Sequence, residues 1–251
     1  MNDRETPLSG GNASGLVVRV GDTVRKPWTP RTPDTLMLMD RVRAAGVDVP
    51  RGGGPDEEGR LVLEFVPGEL AIDGPALDLD QLARVGHLVR RIHDASPPVR
   101  EISGEWDVLI PTAGADLICH NDLAPWNLII GDRWVFIDWD AAGPSTRLWD
   151  LAYAAQAFTL SEVDRSPVNA ARRLAAFVDG YDADHELRAA LPSTMAARAR
   201  AMYDLLRDSH ATGREPWGSM FVEGHGDHWL AAARYVEEHL EVWAAALAQS
   251  S

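Results

Sequence analysis

Residues Ile118–Asp140 read ICHNDLAPWNLIIGDRWVFIDWD. Within this stretch His120, Asp122, Leu123 and Asn127 fit the form H-x-D-L-x-x-x-N, and Asp138 follows behind the apolar run Val135-Phe136-Ile137. Asn127 to Ile130, a Gly131-Asp132 turn and Trp134 to Ile137 predict a hairpin. A loop offering an Asp and, five residues on, an Asn suits phosphoryl transfer to an alcohol. Asp122 would accept the hydroxyl proton and aim the oxygen at phosphorus. Asn127 and Asp138, returned to one edge by the hairpin, would hold Mg²⁺, which prefers hard oxygen donors and keeps several waters. Taken singly, Asp122 and Asn127 are ordinary turn residues and His120 an ordinary core histidine. Their joint order and spacing give the pattern its weight.

Ahead of this segment the chain reads as sheet. Leu16 to Val20, the pair Gly21-Asp22 and Thr23 to Lys26 predict a first hairpin. Before it, Ser9 to Gly15 is a small-residue loop able to bring backbone amides close to a ligand. A helix is expected from Thr35 to Ala45, stopped by Gly46, and a strand from Leu61 to Val66. Pro67-Gly68 marks a seam, dividing the chain into an N-lobe over residues 1–66 and a C-lobe over 67–251. Beyond the seam, Asp78 or Asp80 can cap a helix carrying Leu82, Val85, Val89 and Ile92 on one face. Leu148, Leu151, Ala155 and Phe158 predict another. Trp229, Ala233, Val236, Leu240, Trp243 and Leu247 form a last apolar stripe, read as core. The expected class is α+β with two lobes.

The chain has 251 residues with 38 acidic and 24 basic side chains, for a formal charge of −14. That balance disfavours nucleic acid and anionic membranes as partners. The acids Asp179, Asp182, Asp184, Glu186, Asp204, Asp208, Glu215 and Glu223 suit a cationic acceptor. One cysteine, Cys119, excludes an internal disulfide and a Cys-rich zinc site. With no signal-peptide pattern or bilayer-length apolar run, a cytoplasmic location is expected. Lys26 is the sole lysine among 23 arginines, as if a compact ammonium were required there.

The segment resembles the catalytic core of the aminoglycoside phosphotransferase family, small-molecule kinases with a protein-kinase-like fold. GGNASGLVVRVGDTVRKP resembles the family's first hairpin and GRLVLEFVPGE its strand and hinge. LVRRIHDAS resembles the helix before the catalytic region, and HNDLAPWN, FIDWDAAG and RLWDLA its catalytic loop, metal segment and following helix. The resemblance implies Asp122 as catalytic base, Asn127 and Asp138 as magnesium ligands, and His120 and Asp150 as structural supports of the loop. It makes Lys26 the lysine that contacts the nucleotide phosphates, with Arg25 as runner-up and Asp34 or Asp40 as its acidic partner. Adenine would bind the hinge backbone around Phe65 and Val66. Asp140, where the family has another residue, is a candidate metal or substrate contact.

The implied activity is transfer of the γ-phosphate of ATP or GTP, with Mg²⁺, to a hydroxyl of an aminoglycoside-like acceptor, as in antibiotic resistance. Choline, homoserine, sugars and other antibiotics are alternative acceptors, and a pseudokinase would keep the fold without turnover. A metal-dependent hydrolase would need more histidines than the single close pair, His225 and His228.

Overall fold

Thr23 to Lys26 (β3) folds back on Val18–Val20 (β2) through Gly21, whose φ of 58° is the left-handed turn conformation glycine adopts without penalty. The computed structural model describes residues 5–8, 17–102 and 106–248. Thr6–Pro7 (β1) lies beside β2, so the expected glycine loop between them, Ser9 to Gly15, and Leu16 fall outside the described residues. Helix α1 (Thr32–Ala44) follows, then Gly52–Pro55 (β4) and Leu61–Glu64 (β5). These strands make one antiparallel sheet in the order β1-β2-β3-β5-β4. Helix α1 starts three residues before the expected Thr35, because Pro33 is already suited to a first helical turn. It ends before Gly46, whose φ is 85°. Strand β5 stops at Glu64, two residues short of the expected end.

The chain then makes β6 (Glu69–Leu70) and α2 (Leu79–Ala95). Asp78 caps α2 reciprocally with Gln81, which settles the choice between Asp78 and Asp80. The catalytic segment contributes β7 (Leu117–Cys119), β8 (Leu128–Ile130), β9 (Trp134–Phe136) and β10 (Gly143–Ser145). Strands β8 and β9 form the expected hairpin, β6 joins its edge, and β10 pairs with β7. Helices α3 (Arg147–Thr159), α4 (Pro167–Tyr181) and α5 (His185–Thr212) complete the core with the short α6 (Trp217–Met220), α7 (Gly226–Glu238) and α8 (Leu240–Ala248). The expected single helix over 229–247 is therefore two. His239, at φ −122°, leaves helical geometry between them, while Trp229, Val236, Trp243 and Leu247 are buried as anticipated.

Helices α2 and α4 meet backbone to backbone. A Cβ on Gly180 would lie 1.9 Å from the Ala83 carbonyl oxygen, and one on Gly86 would lie 2.0 Å from that of Phe177. No larger residue fits at either point without separating the helices. This crossing seats α2 under the catalytic hairpin, with Leu82, Val85, Val89 and Ile92 in the same core as Leu128 and Phe136. Among the described residues no helix is long and apolar enough to cross a membrane.

Candidate active site

The candidate catalytic loop, residues 120–127, is held by groups that leave Asp122 facing a cleft. His120 is buried between Phe136 and Trp139, its ring centroid 4.6 Å from that of Trp139. The Asp122 backbone N–H donates to His120 Nδ1 at 3.3 Å, so the ring proton resides on Nε2, which donates to the Ile137 carbonyl at 3.2 Å. Burial holds the His120 pKa below the ordinary histidine value despite the acids around it, so the ring is a neutral strut tying the loop to the hairpin. Asn121 adopts φ 65°, a conformation asparagine tolerates better than most residues, and its amide donates to the Ala141 and Gly143 carbonyls, each at 3.2 Å.

Asp122 projects into the cleft that opens between α1, the catalytic segment and the C-terminal helices. The cavity has a volume of about 1240 Å³. Asn127, in a single 3₁₀ turn entered through Pro125, donates its amide to Asp122 Oδ2 at 2.7 Å and to the Asp122 carbonyl at 3.0 Å. The Tyr153 hydroxyl, from α3, donates to Asp122 Oδ1 at 2.8 Å. Burial raises the Asp122 pKa above the usual carboxylate value, against the opposing pull of His120, Tyr153 and Asn127. The result is an oriented and comparatively basic carboxylate. Sequence spacing could not reveal Tyr153, which arrives from a helix 31 residues downstream.

On the other side of Asn127, Asp138 stands at the end of the hairpin with φ 57°. That turn directs its carboxylate to Lys26, whose Nζ lies 3.0 Å from Asp138 Oδ1 and 2.7 Å from Asp140 Oδ2. Burial would lower the Lys26 pKa, but the two carboxylates outweigh it and hold the ammonium above the ordinary lysine value. The expected partners in α1 are therefore incorrect. Asp40 pairs with Arg43 on the helix surface, and the α1 residues that line the cleft are Thr32 and Thr35, not Asp34. Asp140 takes the acid's place instead, from the far side of the cleft. The runner-up Arg25 points the other way, as strand alternation requires, and pairs with Asp56 at 3.2 Å.

Phe65 and Val66 do not line the cleft through their side chains. Arg19 lies over the Phe65 ring at 3.7 Å, and Val66 packs against Ile129 and Val135. Neither residue is among those that line the cleft, and the Phe65 backbone N–H already donates to the Asp22 carbonyl at 3.0 Å. Asp150 is buried as a structural acid should be, but it serves a helix rather than the loop. Its Oδ2 lies 3.0 Å from His93 Nε2 on α2, and His93 Nδ1 lies 2.8 Å from the Tyr181 hydroxyl of α4. Arg147 donates to that same hydroxyl at 3.0 Å.

Of the eight acids expected to attract a cation, only Glu223 lines the cleft. Asp184 caps α5, Asp179 pairs with Arg188, and Asp204 and Asp208 pair with Arg207. The cleft wall beyond Asp122 is aromatic instead, built from Trp126, Tyr153, Trp217 and Trp229, with His225 and His228 among its lining residues.

The donor set fits a magnesium ion. Asn127 spends its amide nitrogen on Asp122, which leaves the amide oxygen, and Asp138 and Asp140 add carboxylate oxygens at the same edge.

Residues 100–191 match the model of the phosphotransferase enzyme family. The trifolitoxin immunity protein of Rhizobium leguminosarum bv. trifolii is 33% identical over 163 residues, 61% of this chain and 61% of that protein's length. Among solved structures, a choline/ethanolamine kinase family protein from Mesorhizobium loti superposes with a TM-score of 0.65 at 17% identity, covering 98% of this chain and 92% of the other. An amicoumacin kinase, solved with AMP-PNP and Ca²⁺, gives 0.62 at 16% identity, covering 96% and 89%. Residues 100–191, which carry the loop, the hairpin and the helix that braces them, are thus similar to the phosphotransferase enzyme family, and the chain as a whole has the kinase-like α+β fold.

Proposed function

We propose that the protein transfers the γ-phosphate of ATP, with Mg²⁺, directly to a hydroxyl of a small-molecule acceptor. The observation that carries this reading is the Asp122 carboxylate, fixed by Tyr153 and Asn127 in a cleft that Asp138 and Asp140 also line, with Lys26 paired to both of those acids. In this reading Asp122 orients the acceptor oxygen and takes its proton. Asn127 and Asp138 hold the metal, and Asp140 is available to it. Bound magnesium would supply charge neutralisation on the phosphate oxygens. Lys26, released by Asp138, contacts those oxygens, and the aromatic wall excludes water from the transfer.

The 1–66 and 67–251 division is part of the proposal, supported by the pairing of β6 with the catalytic hairpin rather than with β5. The expected cytoplasmic location belongs to the same proposal, because the proposed reaction consumes ATP. The name of the immunity-protein relative supports an acceptor that is a toxic compound inactivated by phosphorylation, although choline-like alcohols fit the same catalytic core.

The test is mass spectrometry of a mixed acceptor panel after incubation with Mg-ATP and, separately, Mg-GTP. Aminoglycosides, other hydroxylated antibiotics, choline, homoserine and sugars make up the panel. A phosphorylated product is expected from the wild type and not from Asp122→Ala, which should still gain melting temperature from Mg-ATP. Equal product from both proteins would remove Asp122 from the chemistry.

A further inference from the structure

Arg198 on α5 lines the cleft, yet it is only 5% exposed and its Nη1 is buried without a hydrogen-bond partner. Its guanidinium carbon lies 4.3 Å from the centre of the Tyr153 ring and 5.8 Å from that of Trp149. Among the described residues no carboxylate makes an ion pair with it. The acids nearest in charge are already committed. Asp122 is bonded to Tyr153 and Asn127, and Asp150 through Oδ2 to His93; both act on Arg198 only through their charge, without a hydrogen bond. Stacking on an aromatic ring offsets only part of what it costs to bury a charge without a hydrogen-bonded partner. The imbalance shows in the guanidinium itself, whose pKa burial pushes below the ordinary arginine value. A site of this kind is completed by an anion that arrives with a ligand.

Its place identifies which ligand. Arg198 stacks on the face of Tyr153, whose hydroxyl holds Asp122, so it lies one phenol ring from the catalytic carboxylate. Among the described residues, the hydrogen bonds and ion pairs of the Lys26, Asn127 and Asp138 side chains, the groups assigned to nucleotide and metal, go elsewhere. A guanidinium presents parallel N–H donors that match a carboxylate in a two-point contact. Resting on the kinase reading above, we propose that Arg198 is a specificity residue that binds a carboxylate carried by the acceptor within a few bonds of the hydroxyl to be phosphorylated. The acceptor is then a hydroxy acid or a hydroxylated amino acid or peptide, rather than a purely cationic alcohol.

The experiment compares acceptors with and without the carboxylate. Serine and ethanolamine, homoserine and 3-aminopropan-1-ol, and gluconate and sorbitol serve as pairs. Binding is read from the fluorescence of the cleft tryptophans and turnover from Mg-ATP consumption. In at least one pair the wild type should bind the carboxylate member about 10- to 100-fold more tightly, the range for a charged hydrogen-bonded contact. Arg198→Met should abolish that preference, and Arg198→Lys should retain part of it. Melting curves with and without Mg-ATP report whether each variant is folded and binds nucleotide.

If no carboxylate binds better than its partner, the inference is overturned. It is also overturned if Arg198→Met slows both members of each pair equally, since Arg198 would then serve the transferred phosphoryl group. Arg198-dependent binding without phosphate transfer would leave this inference standing and defeat the kinase reading instead.

Discussion

Replacing Tyr153 with Phe removes one hydroxyl and little else. The ring keeps its stacked contact with Trp229, at 5.9 Å between centroids, and its place under Arg198, so the fold should lose only about 1 kcal/mol. Asp122 loses the donor at 2.8 Å on Oδ1 and retains Asn127 on Oδ2. A hydrogen bond to a charged group contributes about 1.5–3 kcal/mol, and each pKa unit corresponds to about 1.36 kcal/mol. Burial already holds the Asp122 pKa above its ordinary value, and Tyr153 opposes that rise. Its removal should therefore raise the pKa further.

The sign follows from the role. Asp122 must be ionised to take a proton, so activity falls as pH drops through its pKa, and the variant should lose activity at a higher pH than the wild type. Tyr153 cannot obscure the profile, because burial, followed by the Asp122 charge, puts its own pKa well above the usual tyrosine value. The assay is kcat against pH for phosphate transfer, to the identified acceptor or to water. At the acid end the variant should be about 10- to 100-fold slower, converging on the wild type at alkaline pH. An acid limb left in place, or an equal loss at every pH, would refute the argument.

Asp138→Ala should abolish both turnover and the rise in melting temperature caused by Mg-ATP, while leaving Asp140 to Lys26. Normal nucleotide-dependent stabilisation in that variant would remove Asp138 from the metal site. Gly180→Ala forces apart helices whose backbones meet at Ala83, with a separation of 1.9 Å that no Cβ can occupy. It should cost about 3 kcal/mol or more, in the upper range for single substitutions, and chemical denaturation would measure it.

What could be read along the chain was what the chain places locally. The Asp122, Asn127 and Asp138 relation is set by a 3₁₀ turn and a tight hairpin, so linear spacing converts directly into proximity. The cap at Asp78 and the face of α2 are local for the same reason. Groups delivered by distant helices carried no such signal. Tyr153 and Arg198 sit in alanine-rich stretches of α3 and α5 that read as ordinary core. The partner of Lys26 was assigned to α1 on the general kinase pattern, whereas the position facing the cleft holds a threonine and the acid comes from Asp140. The acidic C-terminal half suggested a cationic ligand because composition cannot distinguish an acid spent on a helix cap or an arginine from one aimed at a cavity.

The contact between Lys26 and the pair Asp138 and Asp140 also bears on affinity. It joins the strand sheet to the β8–β9 hairpin with opposite charges 2.7–3.0 Å apart, so the groups that the proposed reading gives to nucleotide and metal are paired with one another. On that reading nucleotide and metal would have to displace this internal pairing, and the apparent dissociation constant would be raised by the fraction of molecules in which the pair is closed. Opening the pair for one component would open it for the other, so the two should bind cooperatively, each more weakly alone than together. Competition from within the chain would then disfavour bare ATP relative to its metal complex.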